Sequence, residues 1–327
     1  MARMIVGQFV LETLSLLLVS FLATYAVMPW LINALRKAEI TGRDVHKIDV
    51  REIPTMGGIG LFVGFATGMT LSALLGLDYR LLFAIFLAAT LAVLGGLVDD
   101  LFQLSKAALV VLTFLVAVPV VAFRAGSTLV YLTPFGPSDL GWVFWIIVPF
   151  GFAFLMNGVN IYAGFNGLEA GLGFVSSTSL AICALIYGSI ESAVALFALS
   201  GGLLAFLRWN WNPARIFPGG SGTFLIGAVL ASGILAGSIK VVGIIALFPY
   251  VLNFVLRARD RFVWSVGKTL PDGLLVSPNV TAMWALFMHK SPEKEQIVVE
   301  RCILIQLIFG IIAIGYAYYF VNFIHLS

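Results

Sequence analysis

Long apolar runs separated by short polar segments form the main pattern of this sequence. Each run has roughly 18 to 24 residues, the length that crosses about 30 Å of hydrocarbon as a helix. The pattern predicts an all-α, polytopic integral membrane protein with about ten transmembrane helices. The predicted spans lie near 8–32, 55–77, 81–98, 105–123, 142–160, 167–188, 192–208, 221–237, 240–256 and 302–324.

The composition agrees with this fold class. Hydrophobic residues make up 61% of the 327 positions and the mean hydropathy is +1.04, far above the values of a soluble domain. The longest polar stretch, 257–300, is too short for a soluble domain, and its apolar patch at 280–288 suggests a short helix at the membrane interface. We therefore expect one transmembrane domain over 1–327. Residues 1–32 lack the small-residue cleavage site of a signal peptide, so we expect them to contain the first span.

The basic residues predict the orientation of the chain. When the first loop is placed in the cytoplasm, fifteen of the 19 lysines and arginines fall in cytoplasmic loops at about 33–54, 99–106, 157–167, 208–220 and 257–301. Because cytoplasmic loops retain positive charge during insertion, this predicts a multi-pass cell-membrane protein with both termini outside. The outer side keeps only Arg3, Arg80, Arg124 and Lys240. The net charge of +3 says little about partners, and no nucleic-acid ligand is expected.

Two cytoplasmic loops carry candidate charged groups. Arg43 and Lys47 in the first loop are suited to anionic groups at the membrane surface, although, for the loop taken alone, a purely topogenic role is the better interpretation. Asp99 and Asp100 end the third span. Neighbours on a helix point about 100° apart, so these carboxylates are expected to address one ion together only if the helix ends between them. One would bind a metal or act as a base while the other positions a partner, and a solvated acidic helix end is the alternative.

The segment after the fifth span is rich in asparagine and glycine. Asn157 and Asn160 share a helical face, where amides can ligate Mg²⁺ or bind a sugar or uracil edge, or can serve as hydrogen-bonding contacts between helices. Asn166 lies in a glycine turn that lets backbone approach a ligand, and Glu169 follows as an acid near a helix start. The density of these residues favours a ligand site.

Two further loops suggest phosphate binding. The glycine-rich loop at 208–224 precedes a helix, where backbone N–H groups can cradle phosphate. Arg257, Arg259 and Arg261 end the ninth span, and their guanidinium groups suit a diphosphate, although lipid headgroups would explain them too. The three histidines are scattered, so no zinc site is expected. Cys183 and Cys302 lie on different predicted helices and imply packing rather than a disulfide.

Taken in order, these motifs resemble the polyprenyl-phosphate N-acetylhexosamine-1-phosphate transferases over nearly the whole chain. The segments NGVNIYAGFNGLEAG (157–171) and GRDVHKIDVREIP (42–54) are similar to the branch formed by the eukaryotic dolichyl-phosphate GlcNAc-1-phosphate transferase and its archaeal relatives. The bacterial phospho-MurNAc-pentapeptide translocases instead carry acids where Ala163 and Asn166 stand here, and a histidine cluster in the last cytoplasmic loop. The resemblance therefore favours UDP-GlcNAc as the donor.

The resemblance implies transfer of GlcNAc-1-phosphate from a UDP-sugar to a polyprenyl or dolichyl phosphate in the membrane, with release of UMP. It implies Mg²⁺ as cofactor, with Mn²⁺ as an alternative, and leaves a homodimer open. Asn160 would ligate the metal, and Asp99 or Asp100 would position or deprotonate the acceptor phosphate. The remaining roles are lipid-phosphate binding by Lys47 and Lys106, diphosphate binding by Arg257, Arg259 and Arg261, and contact with the nucleoside or its surroundings by Asn157, Asn166, Gly167 and Glu169.

One position departs from the family pattern. An aspartate that serves as a metal ligand usually precedes the eighth span, and Gly220 occupies its place in FPGGSGT (217–223). The loss of a hard anionic ligand should weaken Mg²⁺ binding, so the chain is either catalytically impaired or completes the metal shell with another acid. The competing class is a transporter or flippase of a lipid or solute. Transporters usually place ionisable groups near the bilayer midplane, and the nearly uncharged spans here argue against that class.

Overall fold

The fold is known from a computed structural model that describes residues 2–132, 136–262 and 267–324, with side chains for 13–131, 136–262 and 267–323. The described chain is mostly helical. The α-helices are α1 Ala2–Lys37, α2 Gly58–Ser72, α3 Tyr79–Phe102, α4 Lys106–Val116, α5 Val118–Ala122, α6 Gly141–Tyr162, α7 Leu168–Ile186, α8 Ile190–Asn210, α9 Gly219–Ala236, α10 Lys240–Ala246, α11 Phe248–Arg259 and α12 Glu295–Tyr319. Arg3, which is predicted to lie outside, falls before the described side chains.

Three small antiparallel hairpins interrupt the helices. The first pairs β1 (Thr41–Asp44) with β2 (Arg51–Pro54), the second β3 (Leu129–Leu132) with β4 (Gly136–Asp139), and the third β5 (Lys268–Thr269) with β6 (Leu275–Val276). In the first hairpin Asp44 faces Arg51 in register. Strands of two to four residues cannot form a core, so these hairpins are connections that shape the ends of the helical bundle.

The chain is a multi-pass membrane protein. Within the described ranges, eight helices are long and apolar enough to cross a membrane, and a ninth span results if α10 and α11 count together despite a bend of 62° between them. The apolar stretch Lys106–Ala122, made of α4 and α5, is shorter than these helices. By length and composition, the described residues therefore provide at most nine spans, and the predicted number of ten is not confirmed. Proline explains both breaks, because Pro119 and Pro249 lack the N–H that would continue the preceding helix.

Burial separates an inner from an outer group of helices. In the apolar 18-residue stretches of α8 and α9, 78% of the residues are buried, whereas in the corresponding stretches of α1 and α12 the buried fraction is 33%. The outer helices expose leucines, isoleucines and aromatics along their surfaces, as expected for contact with lipid tails. The inner helices α7, α8 and α9 are thus fixed by packing on all sides, and α7 and α9 begin at the same end of the bundle where α3 and α6 finish.

Close helix contacts at that end depend on glycine. A β-carbon on Gly58 would collide with the backbone of Ser221 and Gly222, and one on Gly96 would collide with the backbone of Gly220 and Ser221. Such contacts between small residues are the usual way for membrane helices to approach closely. They bring the start of α2 and the last turns of α3 against the first turn of α9.

The apolar patch at 280–288 is not an interfacial helix, which corrects the sequence expectation. Only Trp284–Phe287 forms a 3₁₀ turn, and Trp284 is buried with its ring against Phe165 at a centroid distance of 5.0 Å. The patch is apolar because it packs onto the bundle and its loops, and a local pattern cannot distinguish this from burial in lipid.

Candidate active site

The candidate site begins where the end of α3 meets the start of α9. The Asp100 carboxylate accepts hydrogen bonds from the backbone N–H groups of Gly220 at 2.6 Å and Ser221 at 3.1 Å. The first N–H groups of a helix have no partners within the helix, and its N-terminus carries partial positive charge. Asp100 therefore caps α9 from another helix and occupies the anion position that the glycine-rich loop creates.

Asp99 points toward the same place. One of its oxygens accepts a hydrogen bond from the backbone of Leu104 at 3.1 Å. A β-carbon built on Gly220 would lie 3.3 Å from the Asp99 Oδ2 atom and 3.2 Å from the Asp100 Oδ1 atom. The two carboxylates thus flank one point, contrary to the expectation that they diverge while both remain on the helix. This is possible because α9 packs so closely against α3 that Gly220 lies between the two carboxylates.

Asn160 belongs to the same assembly, whereas Asn157 does not. The Thr223 hydroxyl, one turn beyond Gly220 on α9, donates to the Asn160 side-chain oxygen at 3.1 Å. The Asn157 amide donates to the Thr113 hydroxyl at 3.3 Å and to the Ala153 carbonyl at 2.8 Å. Asn157 therefore links α6 to α4, which is the helix-contact alternative that the sequence left open.

A cavity of about 330 Å³ opens beside these groups. Its lining carries one arginine (Arg43), two asparagine amides, the carboxylates of Asp44 and Glu169, and the backbone of the glycine-rich loop, whereas Asp99 and Asp100 are not part of the lining. Its lining residues are Arg43, Asp44, Val45, His46, Thr55, Asn160, Ala163, Gly164, Phe165, Asn166, Glu169, Phe217, Pro218, Gly219, Gly220 and Thr223. Three segments that are far apart in sequence therefore form one wall. A second cavity of about 490 Å³ adjoins it and shares Asp44 and His46 with it.

A buried polar network fixes the loop between α6 and α7. The backbone N–H of Asn166 donates to Glu295 at 2.8 Å, and its side-chain amide donates to Asp44 at 3.0 Å. Glu169 accepts from the backbone N–H of Gly164 at 3.1 Å. Lys47 forms ion pairs with Glu295 and, at 3.8 Å, with Asp44. Asn166 and Lys47 are thus both held in place by acids, and the acid that they share, Glu295, lies 129 and 248 positions away from them in sequence.

Several predicted site residues lie away from the cavity lining. Lys106 is exposed at the start of α4, and Arg261 is exposed after the end of α11. Arg257 is buried with its guanidinium 5.4 Å from the Trp284 ring centroid, and Arg259 donates to the Val280 carbonyl at 2.6 Å. Gly167 has φ of +85°, and a side chain there would meet the Trp211 ring, so this glycine is explained by the turn alone.

His46 is a neutral group at this site. Burial lowers its pKa to about 4, and its ring stacks on Phe165 at a centroid distance of 4.4 Å. His46, Glu295 and Thr223 were not identified as site residues from the sequence. The first and last lie in the motifs 42–54 and 217–223, but Glu295 starts an ordinary helix, and no local pattern distinguishes it from a solvated acid.

The fold and the site together define a multi-pass membrane protein that gathers carboxylates, amides and a helix N-terminus around one cavity at one end of its helices. Comparison with known proteins specifies the class further. The family model described as glycosyl transferase family 4 matches residues 82–238, a range that contains Asp99, Asp100, Asn160 and Gly220.

Relatives of the chain carry related names. A protein of Saccharolobus solfataricus, provisionally named a UDP-N-acetylglucosamine–dolichyl-phosphate N-acetylglucosaminephosphotransferase, is 33% identical over 81% of this chain and 84% of its own. A protein of Sulfolobus acidocaldarius with the same provisional name is 30% identical over 91% and 94%. A phospho-N-acetylmuramoyl-pentapeptide-transferase of Desulforamulus reducens is 29% identical over 75% and 82%. The chain belongs to glycosyl transferase family 4.

Proposed function

We propose that this protein transfers GlcNAc-1-phosphate from UDP-GlcNAc to a polyprenyl or dolichyl phosphate and releases UMP. The main structural support is that Asp99, Asp100 and Asn160 converge on the first turn of α9, at the edge of a cavity of about 330 Å³. The names of the two archaeal relatives support the choice of GlcNAc and dolichyl phosphate. In this reaction an oxygen of the lipid phosphate attacks the β-phosphorus of the donor, and the bond to the α-phosphate oxygen of UMP breaks.

The residues present fit Mg²⁺, with Mn²⁺ as the alternative ion. Asp99, Asp100 and Asn160 offer carboxylate and amide oxygens, the hard ligands that Mg²⁺ prefers. When bound, the ion would neutralise negative charge on the diphosphate as it develops. Asp100 already accepts two hydrogen bonds, but carboxylate oxygens have about four acceptor positions in total, so it can cap α9 and contact a cation at once.

The chain's own residues would orient the two substrates. Asp99 has one oxygen directed at Gly220, which suits it to orient the acceptor phosphate across the metal position. Arg43 lines the cavity without an ion pair among the described residues and is suited to neutralise the diphosphate. The lipid phosphate is already largely ionised at neutral pH, so positioning matters more here than proton abstraction. Lys106, Arg259 and Arg261 are exposed away from the cavity lining and would contribute only while a substrate approaches, and Arg257 is buried against Trp284.

We further propose that the cavity faces the cytoplasm. The charge distribution supports this orientation, since the loops around the cavity carry most of the basic residues. Two broken spans, one at α4 and α5 and one at α10 and α11, would complete ten crossings and bring both termini to the outside. The few ionisable groups near the cavity belong to helix ends and to the first hairpin and its loop, which favours chemistry at the interface over transport through the bilayer.

The test is a transfer assay on the purified, reconstituted protein. With a polyprenyl phosphate, Mg²⁺ and UDP-GlcNAc, we expect stoichiometric UMP and a lipid-linked GlcNAc diphosphate. UDP-MurNAc-pentapeptide serves as the comparison donor and should give far less product. Movement of labelled lipid or UDP-GlcNAc across the bilayer with no UMP would instead support the transporter class and overturn the proposal.

A further inference from the structure

A second cluster of ligating groups lies in the wall between the two cavities. One carboxylate oxygen each from Asp44 and Glu295 and one ring nitrogen of His46 lie within 4.8 Å of one another. The three side chains are only 4 to 5% exposed. They come from β1, the loop after it and the first turn of α12, so the cluster exists only in the folded chain. It is separate from the oxygen groups at the start of α9.

The His46 ring is oriented as metal-bound histidines commonly are. It is hydrogen-bonded to the backbone of Gly164 and stacked on Phe165. Its Nε2 atom is buried and has no hydrogen-bond partner among the described residues, so the contact with Gly164 uses Nδ1. Metal-ligating histidines usually donate their other ring N–H to a carbonyl or carboxylate, which fixes the tautomer. A buried nitrogen without a partner is costly for the fold unless it has a ligand.

The charge balance of the cluster also suits a divalent cation. Asp44 and Glu295 are both buried, and Lys47 is the one ammonium paired with them in the described structure. These two carboxylates and the ammonium leave a formal charge of about −1 next to a neutral imidazole. Burying unbalanced charge is expensive, and one divalent cation in place of the ammonium would balance the two carboxylates.

We propose that Asp44, His46 and Glu295 form a binding site for a divalent transition metal of the Zn²⁺ or Mn²⁺ type. One imidazole with two carboxylates suits these ions better than Mg²⁺, which prefers oxygen ligands alone. The site joins the first hairpin, the loop before α7 and the start of α12, and thereby fixes one wall of the substrate cavity. Lys47 contacts both carboxylates and competes with the metal for them. The scattered histidines predicted no zinc site from the sequence. That pattern could not reveal this cluster, because two of its three ligands are acids and Glu295 is 249 residues from His46.

The test measures metal content without substrates. Full-length protein with any purification tag removed is stripped with a chelator and dialysed against Zn²⁺ with excess Mg²⁺ present, and bound Zn²⁺ is counted by mass spectrometry. We expect one Zn²⁺ per chain, and loss of it in His46→Ala and Glu295→Gln. Asp99→Asn and His289→Ala are the matched controls and should retain it. Lys47→Met removes the competing ammonium and should tighten Zn²⁺ binding at least threefold.

The Glu295→Gln variant keeps an acceptor for the Asn166 N–H and so protects the fold, which tryptophan fluorescence would check. Wild-type protein that is folded but binds no Zn²⁺ would overturn the proposal, as would unchanged Zn²⁺ content in Glu295→Gln. If His46→Ala fails to fold, the Glu295→Gln and Lys47→Met proteins decide the matter. Because no donor or acceptor is added, the outcome is independent of whether the protein transfers GlcNAc-1-phosphate.

Discussion

At the residue scale, the neighbouring acids Asp99 and Asp100 have different partners. Asp100 is bound through both oxygens to the first turn of α9, whereas Asp99 bonds the backbone after its own helix with one oxygen and leaves the other near Gly220. The first arrangement stabilises a contact between two helices, and the second leaves an oxygen for a ligand. The two residues should therefore respond differently to the same substitution.

Asp100→Asn should lower both stability and turnover. An asparagine can accept from one of the two N–H groups of α9, but its own amide group then faces the other donor, at a cost of about 1–3 kcal/mol in the free energy of unfolding. Asp99→Asn should leave the melting temperature in detergent nearly unchanged while lowering UMP release by about 10²-fold or more. Equal melting temperatures for the two variants would contradict the capping role, and normal turnover in Asp99→Asn would contradict the positioning role.

Gly220→Asp tests the departure from the family pattern. The new carboxylate would begin 3.2–3.3 Å from oxygens of Gly96, Asp99 and Asp100, so it would be stable only with a bound cation. We expect Mg²⁺-dependent turnover to rise at least tenfold, or about 1.4 kcal/mol in the barrier. Gly220→Ala is the control for crowding and should give no gain. If the Asp variant shows no gain at any Mg²⁺ concentration, a missing ligand does not explain Gly220.

His46 predicts a pH dependence of stability in the metal-free protein. Its pKa falls from 6.5 to about 4 in the fold because burial disfavours the charged ring. The unfolded chain therefore binds a proton at His46 more tightly than the folded chain does. The contribution of His46 to the free energy of unfolding is complete above about pH 6.5 and is lost as the pH falls toward 4. The full loss is about 3 kcal/mol. Thermal unfolding of wild type and His46→Gln from pH 7 to 4.5 should show a shallower decline in the variant, and parallel curves would refute it.

At the element scale, the start of α9 organises the site. The last turns of α3 approach it through Gly96, and the start of α2 approaches it through Gly58. The backbones of the two glycine-rich segments also pair, with Gly57 donating to the Phe217 carbonyl at 2.9 Å and Phe217 donating to the Pro54 carbonyl at 2.8 Å. The cavity wall is therefore held by the same contacts that pack these helix ends together.

Gly96→Ala should separate α3 from α9. Its β-carbon would collide with the backbone of Gly220 and Ser221, which cannot rotate away. Overpacking of this kind costs about 1–3 kcal/mol, and it should also move Asp99 and Asp100 relative to α9. Gly151→Ala on α6 is the matched control because a β-carbon there meets nothing within 4 Å. We expect a lower melting temperature and lost turnover for Gly96→Ala alone, and indistinguishable variants would contradict this.

At the scale of the whole molecule, one end of the helical bundle carries the candidate chemistry and the other carries a hairpin. Asp49 lies in the first loop, beside the cavities, and Pro137 lies in the β3–β4 hairpin; both are exposed. The two native cysteines are buried, so they provide little background for labelling.

The predicted orientation can be tested with introduced cysteines. Pro137→Cys should react with a membrane-impermeant maleimide in intact cells, and Asp49→Cys should react only in inverted vesicles. Cytoplasmic placement of the first loop follows from the excess of basic residues on that side. Labelling of Asp49→Cys in intact cells would place the cavity outside and would reverse the proposed orientation. The unmodified protein reports any reaction at Cys183 and Cys302.

The sequence by itself determined that this chain is a polytopic helical membrane protein, and it singled out Asp99, Asp100, Asn160 and Gly220, which the structure brings together at the start of α9. Hydrophobic length is a local property, so the long spans could be located without tertiary information, and the motifs around Asp99, Asn160 and Gly220 are contiguous. The sequence did not predict the division into α4 and α5 or the bend between α10 and α11, because a proline in an apolar run does not reveal the angle between the two halves.

Only the tertiary structure decided which polar groups meet. It turned Asn157 toward α4, placed Asp100 on the first turn of α9 and brought Glu295 to Lys47 and Asn166. These contacts join residues 44 to 248 positions apart, and their partners are selected by helix packing rather than by neighbouring sequence. A buried acid and a solvated acid at a helix start have the same local pattern, so Glu295 could be recognised only after the chain had folded around it.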